Sequence, residues 1–544
     1  MIQSIIEDHY TAARAYFFCV FGMLVFESAI HFPSYWLIIK NRGRPFVKVS
    51  RGHSKIYTTA QRLLTLPSYI PFLTHHALPG LARLAVFTFL NILWGWNSNE
   101  FSTDYKLYGW LTIANGGLAL LTAARNNLFL ELLRIPSTVL LEYHRWIGRA
   151  TVIHATIHFA LNTQHDIVTQ QLADAFASRR IQVGTLAWVA LALMFLTSLN
   201  FVRRRWFESF YYSHFLFLVF VAGSLIHATK GPEFLLPGLI LWSIDRAMRF
   251  ANNFRSVTVT EVKHYDGDMT KFKIKGIKTK RPGQIAWIQI PTSSLLNWHP
   301  FTISSGPGED AVFAVRGLGG YTKKVQMLMD NIKSVSTGSD SRCETVERQS
   351  LLRMRIDGPY GVGAIQWGIH PVTVLVAGGI GITPGISIAS HIIQRGNKLI
   401  IETGACNRWH VYLLWVIKSP RHAAWFEEEL KNLHSLATKQ DSRTTFDVAI
   451  YVTGSVASTR VGSIADEEAH EMQESYSYHG PGTVVSGRPD LSKWFEDIRA
   501  TRRGLDAAVN VCGPKKLIES VRKAAAKAGG EGGIFHVEEE VFEF

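Results

Sequence analysis

Five histidines fall where an imidazole is out of place. His144, His154 and His158 lie in one long apolar run, His214 and His227 in another. A polar ring inside hydrocarbon is costly and marks function by default. At 1.5 Å per residue, His144 and His158 are about 21 Å apart and within about 40° of one helical face, while His214 and His227 are about 20 Å apart. Two helices with rings at matching heights can hold two flat metal cofactors stacked along their axes, each iron closed by two imidazoles. Haem suits this arrangement better than zinc, whose ligands cluster tetrahedrally. With both axial positions closed, such haems relay electrons and do not bind oxygen. His154, one turn from His158, matches no ring on the second helix and reads as a hydrogen-bonded helix contact. His214 and His227 would stand about 140° apart on an ideal helix, so that helix needs a bend or bulge. Arg149, between the two levels, is equally suited to a haem propionate and to snorkelling.

Elements that position such rings must cross lipid. The chain has 544 residues, 18% of them charged, a mean hydropathy of +0.08 and a net charge of +14. Low charge with 12% aromatics excludes a disordered protein. Four cysteines without close pairing (Cys19, Cys343, Cys406, Cys512) exclude a disulfide scaffold. Windows 107–124, 150–165, 181–202 and 209–229 contain no Asp, Glu, Lys or Arg, and about 20 such residues span a bilayer. Seven spans are expected, at roughly 12–39, 78–96, 107–132, 137–163, 183–202, 207–228 and 234–250. Basic loops orient them. Lys40, Arg42, Arg44, Lys48, Arg51, Lys55 and Arg62 follow the first span, and Arg203, Arg204 and Arg205 follow the fifth. Both sets face the cytosol if the N-terminus is outside, which puts everything after residue 250 in the cytosol. Residues 1–252 hold 22 Lys and Arg against 12 Asp and Glu, so most of the positive excess is topology rather than a nucleic-acid footprint.

After residue 253 the pattern changes to short alternating strands, as in a small antiparallel barrel, and after about 365 to strands alternating with helices, as in a parallel α/β sheet. His299-Pro300-Phe301-Thr302 runs into Ser304 and Ser305, a strand with hydroxyls suited to a resting flavin. Gly319-Gly320-Tyr321-Thr322 then opens a helix whose backbone N–H groups can seat a pyrophosphate. Gly378-Gly379-Ile380-Gly381-Ile382-Thr383-Pro384 separates an apolar strand from an apolar helix, as a nicotinamide dinucleotide turn does. Lys418 and Arg488 stand at strand ends, where either can hold a 2′-phosphate and favour NADPH. Cys512-Gly513-Pro514 ends another strand and brings a small thiol to the same crevice.

Taken in order, these motifs, with Asp357-Gly-Pro-Tyr-Gly361 and an aromatic C-terminus, resemble fungal-type ferric-chelate reductases of the ferric reductase/NADPH oxidase superfamily. The resemblance extends from about residue 107 to Phe544. It implies a multi-domain membrane protein: an N-terminal helix and basic loop (1–77), a six-helix haem bundle (78–252), an antiparallel β-barrel FAD domain (253–365) and an α/β ferredoxin-reductase-like NADPH domain (366–544). It makes His144/His214 the inner and His158/His227 the outer pair of two b-type haems. Pro300, Phe301 and Thr302 would line FAD, while Gly379, Gly381, Thr383 and Pro384 would meet NADPH. Phe542 and Phe544 resemble the aromatic that shields the flavin. Cytosolic NADPH would then reduce ferric or cupric chelates at the outer face of the plasma membrane, for metal uptake. Partners would be the lipid bilayer, an iron-uptake system or a second copy of the chain, and no nucleic acid. The same wiring serves an oxidase that makes superoxide from oxygen, and a scaffold that has lost electron transfer is the reading from another class.

Overall fold

The computed structural model describes residues 8–40, 78–96, 104–123, 135, 137–252, 257–289, 298–317, 320–327, 354–361, 365, 367–403, 408–439, 442–454, 478–530 and 533–540. They divide into two compact units, one of helices up to Asn252 and one of strands and helices after it. The basic loop expected after the first span, Gly319, Phe542 and Phe544 lie outside the described residues.

The helical unit contains α1 (His9–Lys40), α2 (Leu78–Trp96), α3 (Tyr105–Ala123), α4 (Ser137–Val168), α5 (Arg179–Ser198), α6 (Phe207–Ser213), α7 (Phe217–His227) and α8 (Pro232–Asn252). α3 is the central one. It packs along α4 and α8, and Leu111, Ala114 and Leu118 are wholly buried. Glycines let the backbones close up: a Cβ on Gly117 would lie 2.1 Å from the Phe234 carbonyl oxygen. Outward faces are apolar, with Phe18, Phe26, Phe89, Ile153, Leu193 and Leu196 all exposed, as in a bundle surrounded by lipid.

Polar groups point inward. The Tyr16 hydroxyl on α1 bonds Asn91 Oδ1 on α2 at 2.9 Å and Asn115 Oδ1 on α3 at 2.8 Å. Asn115 Nδ2 lies 3.3 Å from His154 Nδ1 on α4. Farther along, Arg83 on α2 pairs with Glu27 on α1 at 3.1 Å and Glu142 on α4 at 3.0 Å. This inward polarity qualifies the seven-span expectation. Among the described residues three helices are long and apolar enough to cross a membrane: His9–Ala29 within α1, Arg179–Ser198, and Phe207–His227. α4 carries Glu142, Arg145 and Arg149 and α8 carries Asp245, Arg246 and Arg249, which lower the apolarity of both helices; of these six, Asp245 and Arg249 are buried.

The second unit begins with β1 (Thr258–Tyr265), β2 (Met269–Lys278), β3 (Ile285–Gln289), β4 (His299–Thr302), β5 (Asp310–Arg316) and β6 (Arg355–Tyr360). The alternating pattern predicts a closed barrel. The described strands instead form two open antiparallel sheets, β1-β2-β5 and β4-β3-β6, linked by an isolated bridge between Ile303 and Phe313. Pro300 sits on β4 opposite Trp287 and has no N–H for a further ladder, which suits β4 to an edge. Phe272, Ile274, Ala286, Ile288, Ile303 and Phe313 fill the space between the sheets.

The rest is the expected parallel sheet. β7 (Val372–Gly378), β8 (Trp409–Ile417), β9 (Thr444–Val452), β10 (Thr483–Ser486), β11 (Ala507–Cys512) and β12 (Phe535–Glu540) lie in the order β10-β9-β8-β7-β11-β12, all parallel. α9 (Ile382–Thr403) and α10 (Glu427–Ala437) cover one face, α11 (Leu491–Thr501) and α12 (Lys515–Ala528) the other. Burial on both faces explains why β7 and β11 read as nearly unbroken apolar runs.

The Asn115 network should hold α1 in the bundle. Asn115→Leu strands His154 Nδ1 and removes one of the two partners of the Tyr16 hydroxyl, and a cycle with Tyr16→Phe should show coupling of about 0.6–1.7 kcal/mol. Thermal unfolding of the detergent-purified chain checks this, and an unchanged melting midpoint in Asn115→Leu would refute it.

Candidate functional site

Helix α4 keeps its two outer histidines on one face, and the helices after α5 bring a partner to each. The His144 and His214 ring centroids are 6.2 Å apart, those of His158 and His227 6.1 Å. Two metal–imidazole bonds of about 2.0 Å, plus about 1.1 Å from each Nε2 to its ring centre, call for about 6.2 Å. The residues present therefore fit an iron between each pair. The bend required between His214 and His227 is a 3₁₀ turn, His214–Leu216, between α6 and α7. Three residues wound at about 120° instead of 100° reduce the angular mismatch from about 140° to about 80°.

Second partners orient the rings. His144 Nδ1 meets the Ala119 carbonyl at 3.0 Å, His158 Nδ1 that of Tyr105 at 2.6 Å, and His227 Nδ1 that of Arg180 at 2.9 Å. A proton held on Nδ1 leaves the Nε2 lone pair for a metal. His214 Nδ1 is buried with no partner among the described residues. Glycines that carry no signature in the sequence make the room. A Cβ on Gly184 would lie 2.5 Å from His227 Nδ1, and one on Gly109 2.9 Å from His158 Cε1. Gly148, one turn after His144, has open space where its Cβ would point, a cradle for a flat ring system. His154 takes no part; it is bonded to Asn115, and its ring lies 5.8 Å from Tyr108. The Arg149 guanidinium lies over the Trp146 ring at 4.4 Å.

In the second unit, strand β4 divides its motif by pleat. Phe301 packs against the apolar core with Tyr321, while Pro300 and Thr302 are out of phase with it. His299 stacks on Tyr321 at 3.7 Å, and burial lowers its pKa to about 4, so the ring is neutral. Thr302 Oγ1 is buried and has no partner among the described residues, an orphan that a flavin heteroatom would satisfy. Gly320 starts the short helix 320–327 with open space at its Cβ position, and Thr322 is half-buried in the same turn.

The sheet reverses direction of growth between β7 and β11, the place where open α/β sheets bind nucleotides. There the two glycine turns meet. A Cβ on Gly378 would strike Pro514 at 2.8 Å, one on Gly381 the Cys512 carbonyl oxygen at 2.4 Å, and one on Gly513 the Gly378 nitrogen at 3.1 Å. Gly379 differs: its φ is +58°, its Cβ position is open, and its carbonyl is fixed by Trp415 Nε1 at 2.8 Å. A phosphate can approach it closely. Thr383 is buried, with Oγ1 bonded to the Ile380 carbonyl, and Pro384 falls in the first turn of α9. Lys418, after β8, and Arg488, after β10, are exposed at the same carboxyl edge, one and three strands from β7, or about 5 and 14 Å. Cys512 is wholly buried, and burial together with the Glu540 carboxyl pushes its thiol well up, so it packs as a neutral group. Glu540 pairs in register with Cys512, accepts from Asn510 Nδ2 at 3.0 Å, and is raised to about 8, first by burial and then by Glu538. No sequence signal distinguished it from its acidic neighbours.

Known proteins share this organisation. Residues 108–225 match the ferric reductase like transmembrane component family, 254–364 an FAD-binding domain family and 370–526 the ferric reductase NAD binding domain family. A superoxide-generating NADPH oxidase heavy chain from Dictyostelium discoideum is 25% identical over 64% of this chain and 68% of its own. The ferric reduction oxidase 7, chloroplastic, of Arabidopsis thaliana is 27% identical over 59% of this chain and 45% of its own. The ferric reduction oxidase 2 of the same plant is 26% identical over 61% and 45%. The chain thus spans about half the length of the two plant relatives. It carries the transmembrane, FAD-binding and NAD-binding domains of the ferric reductase/NADPH oxidase superfamily, whose members include both activities.

Two outcomes are expected. His158→Leu, which removes a ring, and Gly184→Leu, which displaces one, should each abolish about half of the b-type haem absorbance, whereas His154→Leu should keep both; equal loss from His154→Leu would contradict the pairing. Glu540 is protonated in both states below pH 4.5, and between 4.5 and 8 only the unfolded chain ionises. Its contribution to stability is therefore lost as pH rises through that window. Glu540→Gln should flatten the fall in melting midpoint between pH 5 and 8, and an unaltered slope would show that the carboxyl ionises normally.

Proposed function

We propose that this chain is a fungal-type transmembrane ferric-chelate reductase, also able to use cupric chelates, in the plasma membrane with its N-terminus outside and its nucleotide-binding domain in the cytosol. The carrying observation is the pair of imidazole gaps, 6.2 and 6.1 Å, at two levels along α4. Bound at the places described, NADPH would supply a hydride, FAD would convert it into single electrons, and two b-type haems would relay them between the two levels.

The protein's part is to bind, orient and insulate. Ala119, Tyr105 and Arg180 carbonyls hold three imidazoles in the tautomer that exposes Nε2. His144 with His214, and His158 with His227, would each hold an iron from both sides, and the acceptor would then be reduced without ligating the metal. Thr302 offers the unpaired hydroxyl toward a flavin, and the open turn at Gly379 offers backbone to a pyrophosphate. Lys418 and Arg488 are the cations at the carboxyl edge that would select the 2′-phosphate of NADPH. The seven-span topology, with α1 added to a six-helix haem domain, belongs to this reading, as does an iron-uptake system or a second copy of the chain as partner.

The rival reading is a superoxide-generating oxidase, favoured by the name of the Dictyostelium relative. Membranes containing the protein, supplied with NADPH, ferric chelate and oxygen, separate the two. Chelate reduction that persists with superoxide dismutase is expected. Its disappearance on adding the dismutase would replace the reductase with the oxidase.

A further inference from the structure

The second imidazole pair is bordered by side chains that an electron relay alone does not need. Tyr105 opens α3, and its carbonyl accepts from His158 Nδ1. Its ring stands between two imidazoles, with its centroid 6.3 Å from that of His158 and 5.3 Å from that of His165, tilted 34° to each. His165, two turns beyond His158 on α4, is exposed. A file of rings thus runs from the half-buried His158 to the surface.

Permanent cations stand beside two of the groups around this ligand pair, Lys106 beside Tyr105 and Arg180 beside His227. Exposed Lys106 has Nζ 5.9 Å from the centre of the Tyr105 ring. Exposed Arg180 accepts from His227 Nδ1 with its carbonyl and returns a bond from Nε to the His227 carbonyl at 2.6 Å. The carboxylates of this unit's adjoining segments have their own partners. Asp104 lies 3.2 Å from His9 and accepts from the Leu107 N–H, Asp166 accepts from Asn162 at 2.9 Å, and Glu233 pairs with Arg14 at 3.0 Å.

We propose that Tyr105, Lys106, His165 and Arg180 form the docking site of the terminal acceptor, and that this acceptor is an anionic, carboxylate-rich ferric chelate. The proposal rests on the reading that electrons leave at the His158/His227 pair. Lys106 beside Tyr105 and Arg180 beside His227 attract a polycarboxylate, and it is held against the Tyr105 and His165 rings, next to a ligand of the last iron. A neutral acceptor such as dioxygen gains nothing from these cations. Each transfer moves one electron and no proton at the site: chelated ferric iron becomes ferrous and keeps its ligands. One hydride therefore serves two chelates, and one proton is released where NADPH is oxidised.

The test uses the full-length holoprotein in lipid nanodiscs and gallium(III) citrate, a redox-inert stand-in whose binding is read by calorimetry without turnover. A Lys106→Gln variant removes one of the two cations without touching a residue that orients an imidazole ligand, and should keep both haem bands. We expect its gallium citrate Kd and its KM for ferric citrate to rise about tenfold, with kcat nearly unchanged and reduction of cationic hexaammineruthenium(III) undiminished. Unchanged gallium citrate binding in the variant, no binding by the wild type, or equal loss with the anionic and cationic acceptors would each overturn the site. Failure of the reductase reading looks different: gallium citrate binds and the variant weakens it, yet wild-type chelate reduction vanishes with superoxide dismutase.

Discussion

A gap of about 6 Å between facing imidazoles, repeated at two levels, is the constraint that the helical unit is built to meet. Each ring must stay on its helix, keep its Nε2 aimed across the gap, and be shielded from lipid. α4 meets the first need by length, since 14 residues return to nearly the same face. The opposite side cannot, and the 3₁₀ turn at His214 overwinds the chain to compensate. Gly109 and Gly184 then remove the side chains that would push His158 and His227 out of line.

The same constraint turns the bundle's polarity inward. Asn115, His154, Tyr16 and Asn91 satisfy one another across four helices, while Arg83 sits between Glu27 and Glu142. Such groups are costly in hydrocarbon when alone and stabilising when paired, so they fix which helices are neighbours. α1 is held at both points. It therefore packs as part of the bundle, although the histidine pairs are supplied by α4 and the segments following α5.

In the second unit, close backbone approach takes the place of ring spacing. Gly378, Gly381 and Gly513 leave no room for side chains where β7 meets β11, and Gly379 alone opens toward a ligand. Beside this turn the groups are neutral, for Cys512 stays a thiol and Glu540 holds its proton to about pH 8; His299, on β4, is likewise kept unprotonated by burial. At the exposed carboxyl edge, Lys418 and Arg488 supply positive charge where a phosphate rather than a flavin ring would meet it.

Much of this was legible in the sequence because it depends on spacing along one chain. The rise between His144 and His158, the strand–turn–helix around Gly378–Pro384 and the unbroken apolar runs of β7 and β11 are local facts, set by helical pitch, glycine and burial. The need for a bend between His214 and His227 followed from arithmetic alone. What only the tertiary structure decided involves groups distant in sequence. Examples are the carbonyls of Ala119, Tyr105 and Arg180 on the ring nitrogens, the glycines facing them, Tyr105 beside His165, and Glu540 beside Cys512. The expected closed barrel became two open sheets for the same reason. Strand closure depends on which edges find partners, and alternation within a strand says which face is buried but not what lies alongside it.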